Sequence, residues 1–391
     1  VNRTELRAAI CLSLVFAARL LGLFMIYPVF AHYAQQLRDA NPVMIGLALG
    51  GYGMAQGLLQ IPLGLLSDRI GRKAVISAGL FVFGLGSVVA AMANSIEGVL
   101  IGRILQGAGA VGSSILALVA DLTRPEVRTR AMAVVGITIG LSFGAAVLIG
   151  PPLAAAGGLS AIFWLAATLA LAAIGVTLGL TPTPPQPDAG RAPGPALASF
   201  GQVLRDGELL RLDFAIFSLH AILTASFLVI PGILARAFHL GVAGQWELYL
   251  PVLVVSVILM VPAIILAETR GLMKTVFVGG VAVIGLSLLM LALLRGAIAA
   301  AVALAAFLTA FNVMEAILPS LVTKLAPPDA KGAATGVYSS SQFFGIFAGG
   351  AGGGLILAAA GPAGVLAAAA ILTAAWFALA LTMRAPSPRA S

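Results

Sequence analysis

Twelve apolar runs, each of roughly the 20 residues that a helix needs to cross a bilayer, divide this sequence. They lie near 8–31, 42–66, 74–93, 96–120, 131–155, 160–180, 212–234, 248–267, 275–294, 297–322, 333–358 and 363–383. Hydrocarbon offers no partner to a backbone amide, so runs of this length must be helices that close their own hydrogen bonds. Hydrophobic residues make up 60% of the chain and charged residues 9%, whereas a soluble domain is about a quarter charged. No soluble core could absorb that much apolar surface. The expected class is an all-α membrane protein with 12 transmembrane helices, and its first partner is the lipid bilayer.

Lys and Arg orient such a chain. With the N-terminus inside, seventeen of them fall in inside segments, and Arg38, Arg236 and Arg295 fall outside. Arg19 and Arg103 lie within helices. This bias predicts cytoplasmic termini and an even number of spans. The first apolar run is too long for a cleavable signal peptide. The net charge of +8 comes from scattered single residues rather than one basic face, so no nucleic-acid partner is expected. A single cysteine, Cys11, excludes a disulfide framework. The three histidines offer no His-x-x-His spacing for zinc, so neither a metal nor a cofactor is expected. No nucleophile–base–orienter set and no Gly-x-x-x-x-Gly-Lys-Ser/Thr loop is present. Neither an enzyme nor a built-in ATPase is therefore expected.

The stretch 181–196 breaks the pattern. It reads TPTPPQPDAGRAPGPA, which has the composition of a flexible linker. The weakly amphipathic stretch 197–210 follows and fits a surface helix. The expected organisation is a bundle over 1–180, a cytoplasmic linker over 181–211 and a second bundle over 212–391.

The two sides of the linker repeat each other. Leu118–Arg128 aligns with Leu321–Lys331 at an offset of 203 residues, and Phe24–Pro28 aligns with Phe227–Pro231 at the same offset. Ile61 and Pro62, just before Asp68, align with Val261 and Pro262, just before Glu268, at an offset of 200. Three matched places in register argue for a duplicated six-helix unit.

Between the second and third runs stands Gly64-Leu-Leu-Ser-Asp68-Arg69-Ile-Gly71-Arg72-Lys73, expected as a short, rigid, charged loop at a membrane face. Its spelling resembles the loop motif of the major facilitator superfamily. The run from Leu100 to Gly109, with Arg103 and Gln106, resembles a second motif of that family. A Gly-rich motif on helix 5 is partial: Gly140, Gly150 and Pro151 fit, while Ala146, Ala154 and Ala155 replace glycines. Finer detail, such as Asp121-Leu-Thr-Arg124 and Phe311-Asn-Val-Met-Glu315, resembles the bacterial YajR-type branch of the drug:proton antiporter group. Members of that branch can carry a small soluble domain after the last helix, and none is expected here.

The resemblance implies a major facilitator fold, two pseudo-symmetric six-helix bundles, with a small-molecule site between parallel repeats near the midplane. It implies a monomer in a bacterial inner membrane that uses protons as a second partner. It also implies that Gly64, Asp68, Arg69, Gly71, Arg72 and Lys73 act with Asp121 as an inner-face latch. Asp68 can face the positive N-terminus of the next helix, and Arg72 can pair with Asp121. The alternative is a topology anchor. The second-half copy, around Glu268 to Gly271, is degenerate, so a strong latch is expected only in the first half.

Ionisable groups at membrane depth are the chemical candidates, since each costs about 2.5–3.5 kcal/mol there. Glu315, Arg103, His220 and Arg19 are the proton-coupling candidates. Glu315 can be a protonation switch or a permanent ion pair. The imidazole of His220 titrates in the right range but can equally be structural. Polar residues share helix faces at i, i+3 or i, i+4: Gln56 with Gln60, Arg103 with Gln106, Asn312 with Glu315, and Tyr338 with Gln342. With Tyr27, these polar residues are the substrate-cavity candidates, though each can also be helix glue. Glycines at 136, 140 and 144 and at 345, 349 and 353 are expected to form smooth, tightly packed faces. The expected function is proton-coupled efflux of small amphipathic molecules by alternating access. A metabolite symporter or uniporter, or a non-transporting membrane sensor or scaffold, are the other readings.

Overall fold

A computed structural model describes residues 2–183, 197–294, 296–327 and 330–383. Helices dominate: α1 (Arg3–Phe24), α2 (Phe30–Tyr33), α3 (Pro42–Ile70), α4 (Arg72–Met92), α5 (Ile96–Ala108), α6 (Gly112–Asp121), α7 (Pro125–Gly175), α8 (Leu197–Val203), α9 (Gly207–Phe227), α10 (Ile230–Phe238), α11 (Trp246–Thr269), α12 (Met273–Leu293), α13 (Ala297–Leu325) and α14 (Lys331–Thr382). Among the described residues, ten helical stretches are long and apolar enough to cross a membrane. Two of the ten are double. Helix α7 breaks at Gly157 and Gly158, where Gly158 has φ 65°, and α14 breaks at Gly361, with φ 67°. Only glycine takes this backbone without penalty. Splitting both gives twelve spans, as the hydropathy predicts.

Several spans are interrupted where the sequence reads as continuous. Residues 25–29 form a turn around Pro28, between α1 and α2. The chain turns again at Gly109–Val111, between α5 and α6, and ahead of Pro231, between α9 and α10. Proline cannot donate inside a helix, and glycine lowers its stability, so the breaks fall at these residues.

The charged motif departs from the expected loop. Helix α3 runs through Asp68 and Arg69 to Ile70, and α4 resumes at Arg72, so Gly71 is the only non-helical residue between them. Its φ of 102° is what a one-residue connection demands, and glycine supplies it. The motif is thus two helix ends joined by a hinge of one residue.

The chain forms two compact units. The first comprises residues 1–40 and 51–194, and the second 41–50 and 195–391. In the first, α1 packs along α7, and α4 packs on α5 and α7. In the second, α14 packs along α9, and α13 packs on α11 and α12. Helix α1 starts in a capping box: the Asn2 side chain accepts from the Glu5 amide, and Glu5 accepts from the Asn2 amide. The buried Glu5 carboxylate also accepts from Arg124 Nε at 2.8 Å, tying α1 to the start of α7. Hydrogen bonding to Glu5 holds the Arg124 guanidinium above its ordinary range. The linker part 184–196 lies outside the described residues, and α8 occupies the start of the stretch that follows it.

The glycine faces divide. On α14, Cβ atoms at Gly345 and Gly349 would sit 2.2 Å from the carbonyl oxygens of Phe217 and Ala221 on α9. The two backbones therefore touch. On α7, Gly136 and Gly140 have nothing within 4 Å among the described residues, so these two positions make no tight contact there. Gly150 does mark a close approach, with its Cβ position 2.4 Å from the Met25 carbonyl oxygen.

Candidate functional site

In the first unit, the polar stripes of α1, α3 and α5 converge. Tyr52, Gln56 and Gln60 stand one turn apart on α3, on one face. Arg19, on α1, donates to the Tyr52 hydroxyl and to Gln56 Oε1. Gln56 Nε2 donates to Gln60 Oε1 at 3.3 Å. On α5, Arg103 donates to Gln106 Oε1 at 2.8 Å, and Gln106 Nε2 donates to Ser87 Oγ on α4 at 2.8 Å. Both guanidiniums face the Tyr52 ring, Arg103 at 4.9 Å and Arg19 at 5.9 Å from its centroid. Buried Tyr27 lies within electrostatic reach of Arg103. Arg19, Tyr27, Gln56, Gln60, Arg103 and Gln106 therefore belong to one neighbourhood. Tyr52, at its centre, is missing from the sequence candidates, although its i, i+4, i+8 spacing with Gln56 and Gln60 is the signal that would have found it.

In the second unit, α9, α13 and α14 bring another set together. His220 Nε2 lies 3.4 Å from Glu315 Oε1 and 2.9 Å from Gln342 Nε2. Its Nδ1 lies 3.2 Å from the Ile216 carbonyl oxygen, one turn back, and Phe311 packs edge-on against the ring. The Ile216 carbonyl can only accept, so it favours a proton on Nδ1 and leaves Nε2 as the free base. Gln342 can then donate to Nε2, as could a protonated Glu315. Asn312 Nδ2 donates to Ser256 Oγ on α11 at 2.9 Å, away from Glu315. Buried Tyr338 lies within electrostatic reach of both Glu315 and Asp213.

Asp213 is a further residue that sequence reasoning passed over. It is 7% exposed, and its Oδ2 has no hydrogen-bond partner among the described residues. Its place near the start of α9 disguised it as a helix-end carboxylate. The seven-residue spacing to His220 puts both on one face, two turns apart.

At the helix ends of the first unit, Arg72 is the hub. It pairs with Asp68, lies 3.2 Å from Asp121 Oδ2 and donates to Ser67 Oγ at 2.6 Å. Asp68 thus engages the guanidinium of the first residue of α4, and Gly71, its N-cap, receives no side-chain cap. Gly64 lets α6 approach: its Cβ position lies 3.1 Å from Ser113 Oγ. Lys73 Nζ donates to the Thr181 carbonyl oxygen at 2.5 Å, at the end of the helical stretch that continues α7. Arg69 is exposed. In the second unit, Lys324 Nζ lies 2.8 Å from Glu268 Oε1, so the degenerate copy retains an ion pair.

Comparison with known proteins adds an independent line. The model of the Major Facilitator Superfamily matches residues 12–350. The chain is 43% identical over 383 residues to the inner membrane transport protein YajR of Escherichia coli (strain K12), covering 98% of this chain and 84% of that protein. It is 30% identical over 354 residues to an uncharacterized transporter of Buchnera aphidicola subsp. Acyrthosiphon pisum (strain APS), covering 89% of this chain and 90% of that one. Among solved structures, a bacterial homolog to the human lysosomal transporter Spinster superposes with a TM-score of 0.77 at 13% identity, covering 98% of both chains. That likeness speaks to the fold.

Proposed function

The chain belongs to the Major Facilitator Superfamily and is a membrane transporter of that family; from this premise we propose that it exports small amphipathic molecules in exchange for protons, by alternating access. The observation that carries the proton-coupled reading is the His220–Glu315 pair, 3.4 Å apart inside the second unit. A carboxyl and an imidazole at membrane depth can share one proton without a charge exposed to lipid. The Gln342 amide nitrogen, 2.9 Å from His220 Nε2, holds the imidazole while Nε2 is unprotonated. Apolar helices carrying a few polar groups support the amphipathic class.

In this reading, Asp68, Arg72 and Asp121 form a latch at the inner face, made and broken as the transporter cycles. The protein sits in a bacterial inner membrane as a monomer with both termini in the cytoplasm. A metabolite symporter is the second reading. It is favoured by the residues at 146, 154 and 155, which are Ala where the antiporter motif has Gly.

Reconstitution in proteoliposomes with an imposed pH gradient, against a chemically diverse panel, tests the proposal. The gradient is expected to drive accumulation of at least one compound, and Glu315→Gln is expected to abolish that drive while leaving exchange of the compound intact. Transport indifferent both to the gradient and to the substitution sinks proton coupling.

A further inference from the structure

We propose that the first unit holds a binding site for the anionic group of the transported molecule, built on the Arg19 and Arg103 guanidiniums that flank Tyr52. The proposal rests on the transporter reading and deepens it by assigning a charge to the substrate: a small amphipathic carboxylate, sulfonate or phosphate ester.

Arg19 and Arg103 are 2% and 0% exposed. Arg19 spends its donors on two neutral oxygens, the Tyr52 hydroxyl and Gln56 Oε1, and its Nε has no hydrogen-bond partner among the described residues. The second guanidinium approaches the same aromatic ring from α5, 4.9 Å from its centroid. Two like charges thus converge on one tyrosine at membrane depth.

The sequence offers no carboxylate there. In the first half, Asp and Glu occur at 5, 39, 68, 97, 121, 126 and 188. Position 188 falls in the linker, outside the described residues, and the others stand near helix ends or, for Asp39, between α2 and α3. Arg19 is seventeenth along α1 and Arg103 eighth along α5.

Neutral oxygens and a ring face replace only part of the water that a guanidinium loses on burial. Stacking on Tyr52 explains one arginine and makes the second less welcome. An anion answers both. The guanidinium fork matches the paired oxygens of a carboxylate or phosphate. Gly112 stands beside the fork: the point that its Cβ would occupy lies 3.8 Å from Arg19 Nη1, 3.5 Å from Gln60 Nε2 and 3.8 Å from Phe16 Cε2, so two N–H donors and a ring edge meet around it. Alternating access gives the ligand its way in, since a site buried in one conformation opens in another.

The test uses the whole protein in phosphatidylcholine nanodiscs at neutral pH, without any gradient. Equilibrium dialysis compares 4-phenylbutyrate, 4-phenylbutyramide and 4-phenylbutylamine, which share one apolar body and differ in charge. The carboxylate is expected to bind about tenfold to a hundredfold more tightly than the amide, the difference made by charge-assisted hydrogen bonds, and the amine more weakly than either. Arg19→Gln is expected to erase the carboxylate's advantage, bringing its affinity down to that of the amide. Should Arg19→Gln not fold, the wild-type ranking decides alone. Equal binding of carboxylate and amide, preference for the amine, or no carboxylate binding overturns the proposal. Displacement of the carboxylate by added phosphatidylglycerol also overturns it, assigning the arginines to a lipid headgroup. Because no proton gradient enters the assay, its outcome is independent of proton coupling.

Discussion

Lys324 Nζ lies 2.8 Å from Glu268 Oε1, and these residues stand 203 and 200 positions after Asp121 and Asp68. In the first half, two carboxylates at the corresponding helix ends are bridged by Arg72. In the second, the α13 residue is itself the cation, and no bridge is needed. The repeat has kept an electrostatic tie between equivalent helix ends while changing which side carries the positive charge. The second pair is more exposed, at 33% and 45% for its side chains, so solvent screens it and its coupling is worth about 0.2–1 kcal/mol. Lys324→Glu is expected to lower the thermal midpoint slightly by facing two carboxylates, and adding Glu268→Lys is expected to restore it. A double-mutant cycle with no coupling would make the pair incidental.

The first-half cluster makes a sharper prediction. Asp68→Asn removes one of the two carboxylates that hold Arg72 yet keeps the side chain's shape. The pair is partly exposed, so stability is expected to change by no more than about 1 kcal/mol. Transport in proteoliposomes is expected to fall severalfold, because a latch acts on the rate of cycling. Unchanged rates in a stable Asp68→Asn protein reduce the motif to a topology anchor.

Two glycines on α14 separate contact from propensity. A Cβ at Gly349 would meet the Ala221 carbonyl oxygen at 2.2 Å, while Gly352 has nothing within 4 Å among the described residues. Gly349→Ala is expected to destabilise by at least the about 1–3 kcal/mol typical of overpacking, because the obstacle is backbone that cannot rotate away. Gly352→Ala is expected to be neutral or to stabilise by up to about 1 kcal/mol through helix propensity. Thermal unfolding of the purified protein reads both. Equal effects would show that α9 and α14 yield to one another.

Hydropathy carried most of the fold, because a bilayer forces each span to be long, apolar and helical. The breaks were less legible. Gly157 with Gly158, and Gly361, end spans by backbone geometry rather than by polarity, and a hydropathy profile hardly registers them. The motif at Gly64–Lys73 was legible as a family mark but misread as a loop, since charged residues suit a helix end as well as a turn. Its actual hinge is one glycine. Face periodicity paired Gln56 with Gln60 and Arg103 with Gln106, and hydrogen bonds join both pairs, yet it did not rank Tyr52 among them. A tyrosine in an apolar helix looks ordinary until two guanidiniums are seen around it. Gly136 shows the converse: spacing alone cannot say whether a smooth face has a partner.

Asp213 is a buried carboxyl in the second unit, 7% exposed, with no ion pair among the described residues. Its Oδ2 is shielded from solvent without a hydrogen bond among the described residues, a condition that destabilises a charged carboxylate by several kcal/mol. Groups kept in that state mark functional sites more often than structural ones. It stands two turns from His220 on α9 and shares Tyr338 as an electrostatic neighbour with Glu315. In the proton-coupled reading, a carboxyl there would be a further proton carrier beside the His220–Glu315 pair. Asp213→Asn is expected to keep or raise the thermal midpoint, because no buried carboxyl then needs to be neutralised. Gradient-driven transport is expected to slow about tenfold or more, within the range that a positioned proton-transfer group contributes. Exchange without a gradient should persist, since substrate contacts are untouched. A variant that unfolds more easily and transports normally would make Asp213 a structural residue whose partner has yet to be identified, and would leave the proton on the His220–Glu315 pair alone.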